Sequence, residues 1–459
     1  MKLSDNDKII NFVSNIYQKK SLNYRDFVFS SKDSCKDKIF VLKYGNKKKL
    51  PHYINEAIKK GIKGLVVDNR TNVEDISSRI PILKITNLNE KINAFLDQLY
   101  SYPARDMFII GVTGTNGKTS TCHFLAQYLS KLFPRKNIGI ITSEGNGVYP
   151  KLSLTSRTTP ENHLLYRQYD KMRRKNVQIL IIECSSQGLH QGRLNSHSFD
   201  VSILTNINRD HIDYHKNNEN YIKSKLLLLQ MTTKHIFINE SLKNLEMRNI
   251  NAKKVFFKDN SQRELMDNPT IPRDLFTKFT NIYGQNRKIN IIDVINKLKP
   301  IPGRYHFLNG SKRERFLVDY AHTSSSFLEV CKHSKRLVSA SLDNMKVLII
   351  FGCGGDRDKE KRVNMAHHAK KYADFIIVTD DNPRSEDPIK ITNQITEALK
   401  GESNYEVINN RKSAIRRSLD FARNNYLVLL LGKGNESKII YKNKHIYHND
   451  IKYVESLIK

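Results

Sequence analysis

Residues 109–120 read Ile-Ile-Gly-Val-Thr-Gly-Thr-Asn-Gly-Lys-Thr-Ser, an apolar run that meets glycines at 111, 114 and 117 and then a lysine. A strand that ends in glycines and passes into a helix turns successive backbone N–H groups toward one point. Gly114 and Gly117 can adopt angles closed to residues with a Cβ, which makes the turn a phosphate cradle. Lys118 supplies a cation and Thr119 a hydroxyl suited to magnesium. A strict Walker A loop places a glycine five residues before Gly117, where Val112 stands, so this is a variant with glycine at every third position. The helix-like segment from Thr121 to Leu132 gives it the context that a mere surface turn lacks.

A loop of this kind needs a parallel α/β sheet behind it, and the rest of the chain supplies the pattern. At 459 residues there is room for about three domains. The expected divisions are 1–102, 103–299 and 300–459, the first ending near Tyr102-Pro103 and the last opening with Pro300-Ile301-Pro302-Gly303. The first segment holds short β-type runs (Ile39 to Leu42, Gly64 to Val67, Ile80 to Ile85) around an amphipathic helix from Tyr53 to Lys60. In the second, apolar runs at Phe108 to Val112, Ile138 to Ile141, Ile179 to Glu183, Val201 to Thr205 and Lys234 to Ile238 alternate with helical stretches. The third repeats the alternation near Phe316 to Val318, Lys346 to Phe351, Phe375 to Thr379 and Leu427 to Leu431. The fold class is therefore α/β, and ligands are expected at the carboxyl ends of the strands.

The 77 Lys and Arg against 46 Asp and Glu give a net charge of +31, which taken alone would suggest a polyanion partner. The lysines are diffuse, in short groups such as Lys47 to Lys49, and no RNA-binding aromatic motif or metal finger accompanies them. No nucleic-acid role is expected, although anionic nucleotides would be attracted. The five cysteines are odd in number and never form a C-x-x-C pair, so neither a disulfide framework nor a zinc site is indicated. A reducing cytoplasm fits, and no apolar run approaches the roughly 20 residues of a membrane span.

Polar motifs fall where the central strands end. Glu183 closes one strand and is followed by Cys-Ser-Ser-Gln-Gly-Leu-His-Gln-Gly-Arg; another ends at Thr205 and leads into Asn-Ile-Asn-Arg-Asp-His-Ile-Asp. Glu183 and His211 are candidate ligands for magnesium on a nucleotide, although histidine is an uncommon choice for so hard a cation.

The set Gly-Thr-Asn-Gly-Lys-Thr, Glu-Cys-Ser-Ser-Gln-Gly-Leu, Thr-Asn-Ile-Asn-Arg-Asp-His-Ile-Asp-Tyr-His, Pro-Gly-Arg, Val-Asp-Tyr-Ala-His-Thr and Asp-Asn-Pro-Arg resembles the Mur ligases in order and spacing, and among them the MurE type. The resemblance implies an N-terminal uridine-nucleotide domain, a central ATPase domain and a C-terminal Rossmann-like domain. It implies an ATP-dependent amide ligase that adds meso-diaminopimelate to UDP-MurNAc-L-Ala-D-Glu through an acyl phosphate, acting as a monomer in peptidoglycan precursor synthesis.

Carried over residue by residue, the resemblance assigns ATP to Gly114, Thr115, Asn116, Gly117, Lys118, Thr119 and Ser120, with Arg304 and Asp319 meeting the nucleotide from the last domain. It assigns Mg2+ to Thr119, Glu183, His211 and a carbamate on Lys225, and catalysis to Lys118, Glu183, His211 and Lys225. On the residues alone Lys225 could equally be part of a solvated helix face; only its place four residues after Tyr221 separates it from Lys223. The uridine substrate would meet Ser31, Thr158, Thr159, Ser185, Gln191 and Arg193. Diaminopimelate would meet Arg357, Asp381, Asn382, Pro383, Arg384, Gly432 and Glu436, with Arg384 on the distal carboxylate that L-lysine lacks, since a guanidinium attracts a carboxylate and repels an ammonium.

Several positions depart from the family pattern: Ser30-Ser31-Lys32, Arg157, Gln187, Asn286-Arg287, His306, Ser324-Ser325 and Asn435; of these, Asn286-Arg287 lie outside the residues described below. The departures bear on nucleotide and uridine affinity more than on the phosphate, metal or amino-acid centres. Folylpolyglutamate synthetase shares the loop and the acyl-phosphate logic, but Asp-Asn-Pro-Arg and the Thr-Thr-Pro-Glu segment argue against it. Retention of Lys118, Glu183, His211 and Lys225 argues against a non-catalytic remnant.

Overall fold

The computed structural model describes residues 4–18, 23–76, 80–155, 157–194, 198–258, 271–284, 290–341 and 343–459. Three sheets follow one another along the chain. The first is a four-stranded parallel sheet, Phe27–Val28, Ile39–Leu42, Gly64–Asp68 and Ile82–Ile85, with the strands side by side in chain order. Helices Asp5–Tyr17, Leu50–Lys59 and Leu88–Leu99 accompany it; the sequence pattern had indicated only the second. Its core runs without a break into the next unit, because Ile9, Phe27, Val66 and Leu96 share one buried cluster with Tyr166, Leu180, Ile182 and Phe199.

The second sheet has eight strands. Its parallel part, Lys253–Phe257, Thr232–Asn239, Phe199–Leu204, Phe108–Thr113, Val177–Glu183 and Asn137–Thr142 in spatial order, is extended by the antiparallel strands Gly145–Val148 and Lys151–Ser153. The five central runs anticipated from sequence are all present, because strands covered on both faces read as continuous apolar segments. The phosphate-loop strand Phe108–Thr113 lies mid-sheet between Phe199–Leu204 and Val177–Glu183. That order delivers the Glu183 and Thr205 ends to either side of the glycine loop.

The third sheet has six strands in the order His306–Asn309, Arg315–Asp319, Tyr426–Leu431, Lys346–Phe351, Phe375–Val378 and Tyr405–Val407. The four inner strands are parallel, and helices pack on both faces, burying two separate apolar clusters. The fold is thus α/β, built on parallel-dominated sheets. Among the described residues, no helix is long and apolar enough to cross a membrane.

Candidate active site

The glycine loop is held from the neighbouring strand end. Thr115 N donates to Asn206 O (3.0 Å), Asn116 N donates to Asn206 Oδ1 (2.9 Å) and Thr205 Oγ1 donates to Asn116 O (2.7 Å). Gly114 has φ +150°, and a Cβ there would stand 1.9 Å from Thr205 Oγ1. Gly117, at φ +79°, caps helix Lys118–Leu132. The unpaired amides of that helix's first turn, which includes Thr119 and Ser120, lie next to the loop, an arrangement suited to anions. Lys118 Nζ donates to Gly114 O (3.0 Å) and Thr115 O (2.8 Å).

Beneath the loop lies Lys225, from helix Asn218–Gln230. Its side chain is buried, Nζ donates to Gly114 O at 2.6 Å, and the amine stands 4.4 Å from the centre of the Tyr221 ring. Burial, aided by the Lys118 charge, holds this amine well below the ordinary lysine range. Lys223 faces solvent and pairs with Glu219 at 2.6 Å. The structure therefore separates the two lysines that the sequence left in competition for the loop.

Glu183 is a buried carboxylate that receives Thr119 Oγ1 (3.0 Å), Ser143 N (2.9 Å) and Ser143 Oγ (3.2 Å). All three donors are neutral. His211, at φ +54°, starts the short helix Ile212–His215 and lies 3.4 Å from Asp210 Oδ2. Burial, opposed by the Asp210 charge, pushes its pKa down to about 4. The ring is neutral at physiological pH and retains a lone pair for a metal.

The C-terminal unit closes over this loop. Asn116 Nδ2 donates to Ser325 Oγ (3.0 Å), and Asn116 Oδ1 accepts from Thr323 Oγ1 (3.2 Å). Arg304 sits 4.2 Å over the Tyr320 ring with Nη2 3.5 Å from Glu144 Oε1, while Asn435 Nδ2 donates to the other oxygen of Glu144 (3.1 Å). Asp319, at the end of strand Arg315–Asp319, accepts Tyr305 N (2.6 Å) and Ala321 N (2.8 Å).

Between the two units lies a cavity of about 430 Å³. Asp210 and His211 form part of one wall; Arg357, Asp381, Asn382, Arg384, Gly432 and Glu436 lie on the other. Arg384 adopts φ +55°, and Nη1 donates to Gly355 O (2.8 Å) and Asn382 O (3.3 Å). Asn382 Nδ2 donates to Glu436 Oε2 (2.8 Å). Gly432 follows strand Tyr426–Leu431 at φ +106°. Pro383 is not on the wall; it shapes the turn, its carbonyl accepting Glu386 N (3.1 Å).

The remaining candidates lie toward the first sheet. Thr159 Oγ1 donates to Glu183 O (2.8 Å) and accepts Ser185 N (2.9 Å), so this threonine couples the buried glutamate to the Ser185 segment. Arg193 Nε donates to Gln191 Oε1 (3.0 Å), and its guanidinium lies 3.6 Å from Glu161. Thr158 is half-buried beside them. Ser31 stays in the first sheet's unit, its hydroxyl donating to Glu56 Oε2 (2.6 Å).

Sequence reasoning missed Ser143, Glu144, Tyr320 and Lys433. The local signals were the place of Tyr320 within Val-Asp-Tyr-Ala-His-Thr and the Gly432-Lys433-Gly434 run at a strand end.

Residues 112–309 match the Mur ligase middle domain, and residues 303–434 match the domain described as Mur ligase, glutamate ligase domain. A protein of Wigglesworthia glossinidia brevipalpis named UDP-N-acetylmuramoyl-L-alanyl-D-glutamate--2,6-diaminopimelate ligase is 31% identical over 92% of this chain and 92% of its own length. The chain belongs to the Mur ligase family. A second relative of that name, from Coxiella burnetii, is 30% identical over 87% of this chain and 88% of its own. Among solved structures, one bearing the same ligase name superposes with TM-score 0.60 at 23% identity, covering 97% of this chain and 98% of that one. A Mycobacterium tuberculosis folylpolyglutamate synthase with ADP also gives TM-score 0.60, at 15% identity, but covers only 74% of this Mur ligase.

Proposed function

We propose that this Mur ligase joins meso-diaminopimelate to UDP-MurNAc-L-Ala-D-Glu at the expense of ATP, in peptidoglycan precursor synthesis. The observation that carries the reading is the shared cavity, which has the His211 loop beside the phosphate cradle on one side and Arg384 with Glu436 on the other. On this reading residues 1–102 hold the uridine end, 103–299 the ATP and 300–459 the amino acid. The D-glutamyl carboxylate takes the γ-phosphoryl of ATP, releasing ADP. The amine of diaminopimelate then attacks the acyl carbon, and the C–O bond to phosphate breaks as the amide forms.

Lys118 and the loop amides hold the phosphates in line and offset their charge, which is most of what phosphoryl transfer asks of a protein. Glu183 suits a divalent cation: it is buried, it accepts only from neutral donors, and no cationic side chain pairs with it among the described residues. Thr119 and Glu183 would hold Mg2+, a set to which the resemblance adds His211 and the Lys225 carbamate; the ion would supply charge neutralisation on the phosphate oxygens. Burial holds the Lys225 amine well below the ordinary lysine range, which favours the uncharged form that adds CO2 to give a carbamate and a proton. That exchange puts an oxygen anion where an ammonium would repel the metal.

Arg384 favours the distal carboxylate of diaminopimelate and Glu436 its distal ammonium. Thr158, Thr159, Ser185, Gln191 and Arg193, with Ser31 farther out, meet the uridine substrate. The soluble nucleotide substrate fits a monomer in the cytoplasm. Purified protein with ATP, Mg2+ and UDP-MurNAc-dipeptide should release phosphate on addition of meso-diaminopimelate and far less with L-lysine, and Arg384→Ala should lose diaminopimelate use while keeping ATP binding. Equal turnover with lysine refutes the selectivity; no turnover with either refutes the function.

A further inference from the structure

Lys433 lies behind the amino-acid wall of the cavity. It is wholly buried and does not line the cavity itself. Its ammonium stands 2.8 Å from Glu436 Oε2, 3.3 Å from Asn382 Oδ1 and 3.5 Å from Asp381 Oδ1. A lysine fully removed from water is costly unless paired, and here it touches two acids and an amide that all face the cavity.

The contacts orient two of these side chains. Lys433 and Ile440 N (3.0 Å) both donate to Asn382 Oδ1, which turns Nδ2 toward Glu436 (2.8 Å). By occupying Glu436 Oε2, Lys433 leaves Oε1, which has only a long contact from the Tyr320 hydroxyl at 3.4 Å, as the oxygen open to a ligand. Asp381 Oδ1 is buried without a hydrogen-bond partner among the described residues, and its counter-charge is the Lys433 ammonium at 3.5 Å.

The charges form a balanced set. Of the groups the C-terminal unit brings to the cavity, Asp358, Glu360, Asp381 and Glu436 are acidic and Arg357, Lys361 and Arg384 are basic, so the Lys433 ammonium behind Asp381 and Glu436 makes the set neutral. The distal end of meso-diaminopimelate, one ammonium and one carboxylate, is also neutral; that of L-lysine is a lone cation. We propose that Lys433 is a specificity-determining, positioning residue: it cancels one carboxylate of the wall from behind, so that the cavity accepts a zwitterionic distal centre and not a cationic one. Without it the wall carries one excess negative charge, which attracts an ammonium and weakens the pull on a carboxylate.

This inference rests on the diaminopimelate reading above, and the two fail separately. If the native protein shows no preference for meso-diaminopimelate over L-lysine, the functional reading is at fault. Given that preference, Lys433→Gln, which keeps a hydrogen-bond donor and removes the charge, should raise the KM for meso-diaminopimelate roughly ten- to hundredfold. The KM values for ATP and the uridine substrate should stay within about twofold. The ratio of kcat/KM for meso-diaminopimelate to that for L-lysine should drop by roughly tenfold or more. Lys433→Arg, which keeps the charge in the same place, should hold that ratio within about threefold of native even where its rates fall. An unchanged ratio in Lys433→Gln, a common rise of all three KM values, or a collapsed ratio in Lys433→Arg would overturn the proposal.

Discussion

Lys225→Met separates a catalytic role from a structural one, because the two predict opposite changes in stability. The amine is fully buried, makes one hydrogen bond of 2.6 Å to Gly114 O, and lies over the Tyr221 ring. Methionine has nearly the same length and no charge. It forfeits that hydrogen bond, about 1 kcal/mol, and fits the space imperfectly, about another 1 kcal/mol. Against this stands the burial that depresses the amine well below its ordinary value of 10.5. Every unit of such depression costs the folded state about 1.4 kcal/mol at a pH below the folded value, because the unfolded lysine holds its proton more tightly than the folded one.

The sign follows directly. The unfolded chain binds more protons, so native stability rises with pH, and the penalty disappears as pH passes the unfolded value of 10.5. In CO2-free buffer at pH 7 the variant should therefore melt at or above the native temperature. By about pH 11 that advantage should be gone, leaving the variant below native by about the 2 kcal/mol of lost contacts, as read by circular dichroism. Phosphate release should fall by about a hundredfold or more in the same variant, and added bicarbonate should raise the rate of the native protein but not of the variant. A variant that melts well below native at both pH values would mark Lys225 as a structural strut and refute the reasoning. A stable variant with full turnover would refute the catalytic assignment.

Gly114→Ala places a methyl 1.9 Å from Thr205 Oγ1 at φ +150°; it should cost about 2 kcal/mol or more in denaturant unfolding and abolish nucleotide binding by calorimetry. Glu183→Gln keeps acceptors for Thr119 and Ser143 and should unfold within about 1 kcal/mol of native. Its Mg2+-dependent phosphate release should nevertheless fall about a hundredfold or more. Asp450→Asn strips the counter-charge from Arg411, buried 2.7 Å away, and should cost about 3–5 kcal/mol in denaturant unfolding. Arg411 holds the native Asp450 carboxyl far below its ordinary 3.8 against the cost of burial; its contribution should be complete above about pH 5 and decline only as acid titrates the unfolded aspartate and then the folded one.

The parallel strands were readable because burial on both faces makes them continuous apolar runs, as in Lys346–Phe351 and Tyr426–Leu431. The edge elements were not. Gly145–Val148 and Lys151–Ser153 combine glycines with polar residues and owe their strand form to pairing with Asn137–Thr142 and with each other. Helices Asp5–Tyr17 and Leu88–Leu99 are amphipathic, yet what their apolar faces cover lies on the first sheet and on the Tyr166 and Tyr169 helix. The same divide runs through the site. Residues at strand ends carry motifs, so Glu183 and His211 could be named as candidates from their place, and Arg384 from the family resemblance of Asp-Asn-Pro-Arg. The choice of Lys225 over Lys223 needed the facing of a helix, and Glu144 and Lys433 act through partners such as Arg304 and Asp381, distant in the chain.

Two seams show why closure and chemistry belong together in the proposed mechanism. Asn116 is part of the phosphate loop, and its amide is held by Thr323 and Ser325 at the start of helix Ser324–Ser339. Any phosphate that shifts the loop thus acts on the C-terminal unit through one side chain. Ser325 stands where the family pattern has an acid, so this chain makes the contact with neutral groups and brings no extra negative charge to the nucleotide. On the second seam, Arg304 contacts Glu144 at 3.5 Å and stacks on Tyr320, while its Nε has no partner among the described residues. A guanidinium with spare donors beside a phosphate cradle is incompletely satisfied until an anion arrives. The unit that carries Arg304 also carries Arg384 and Lys433, so the contact that completes the nucleotide site would also bring the amino-acid wall to the acyl carbon. Domain closure would then set the order of the reaction, with the carboxylate activated only when the amine is in place and water is kept out.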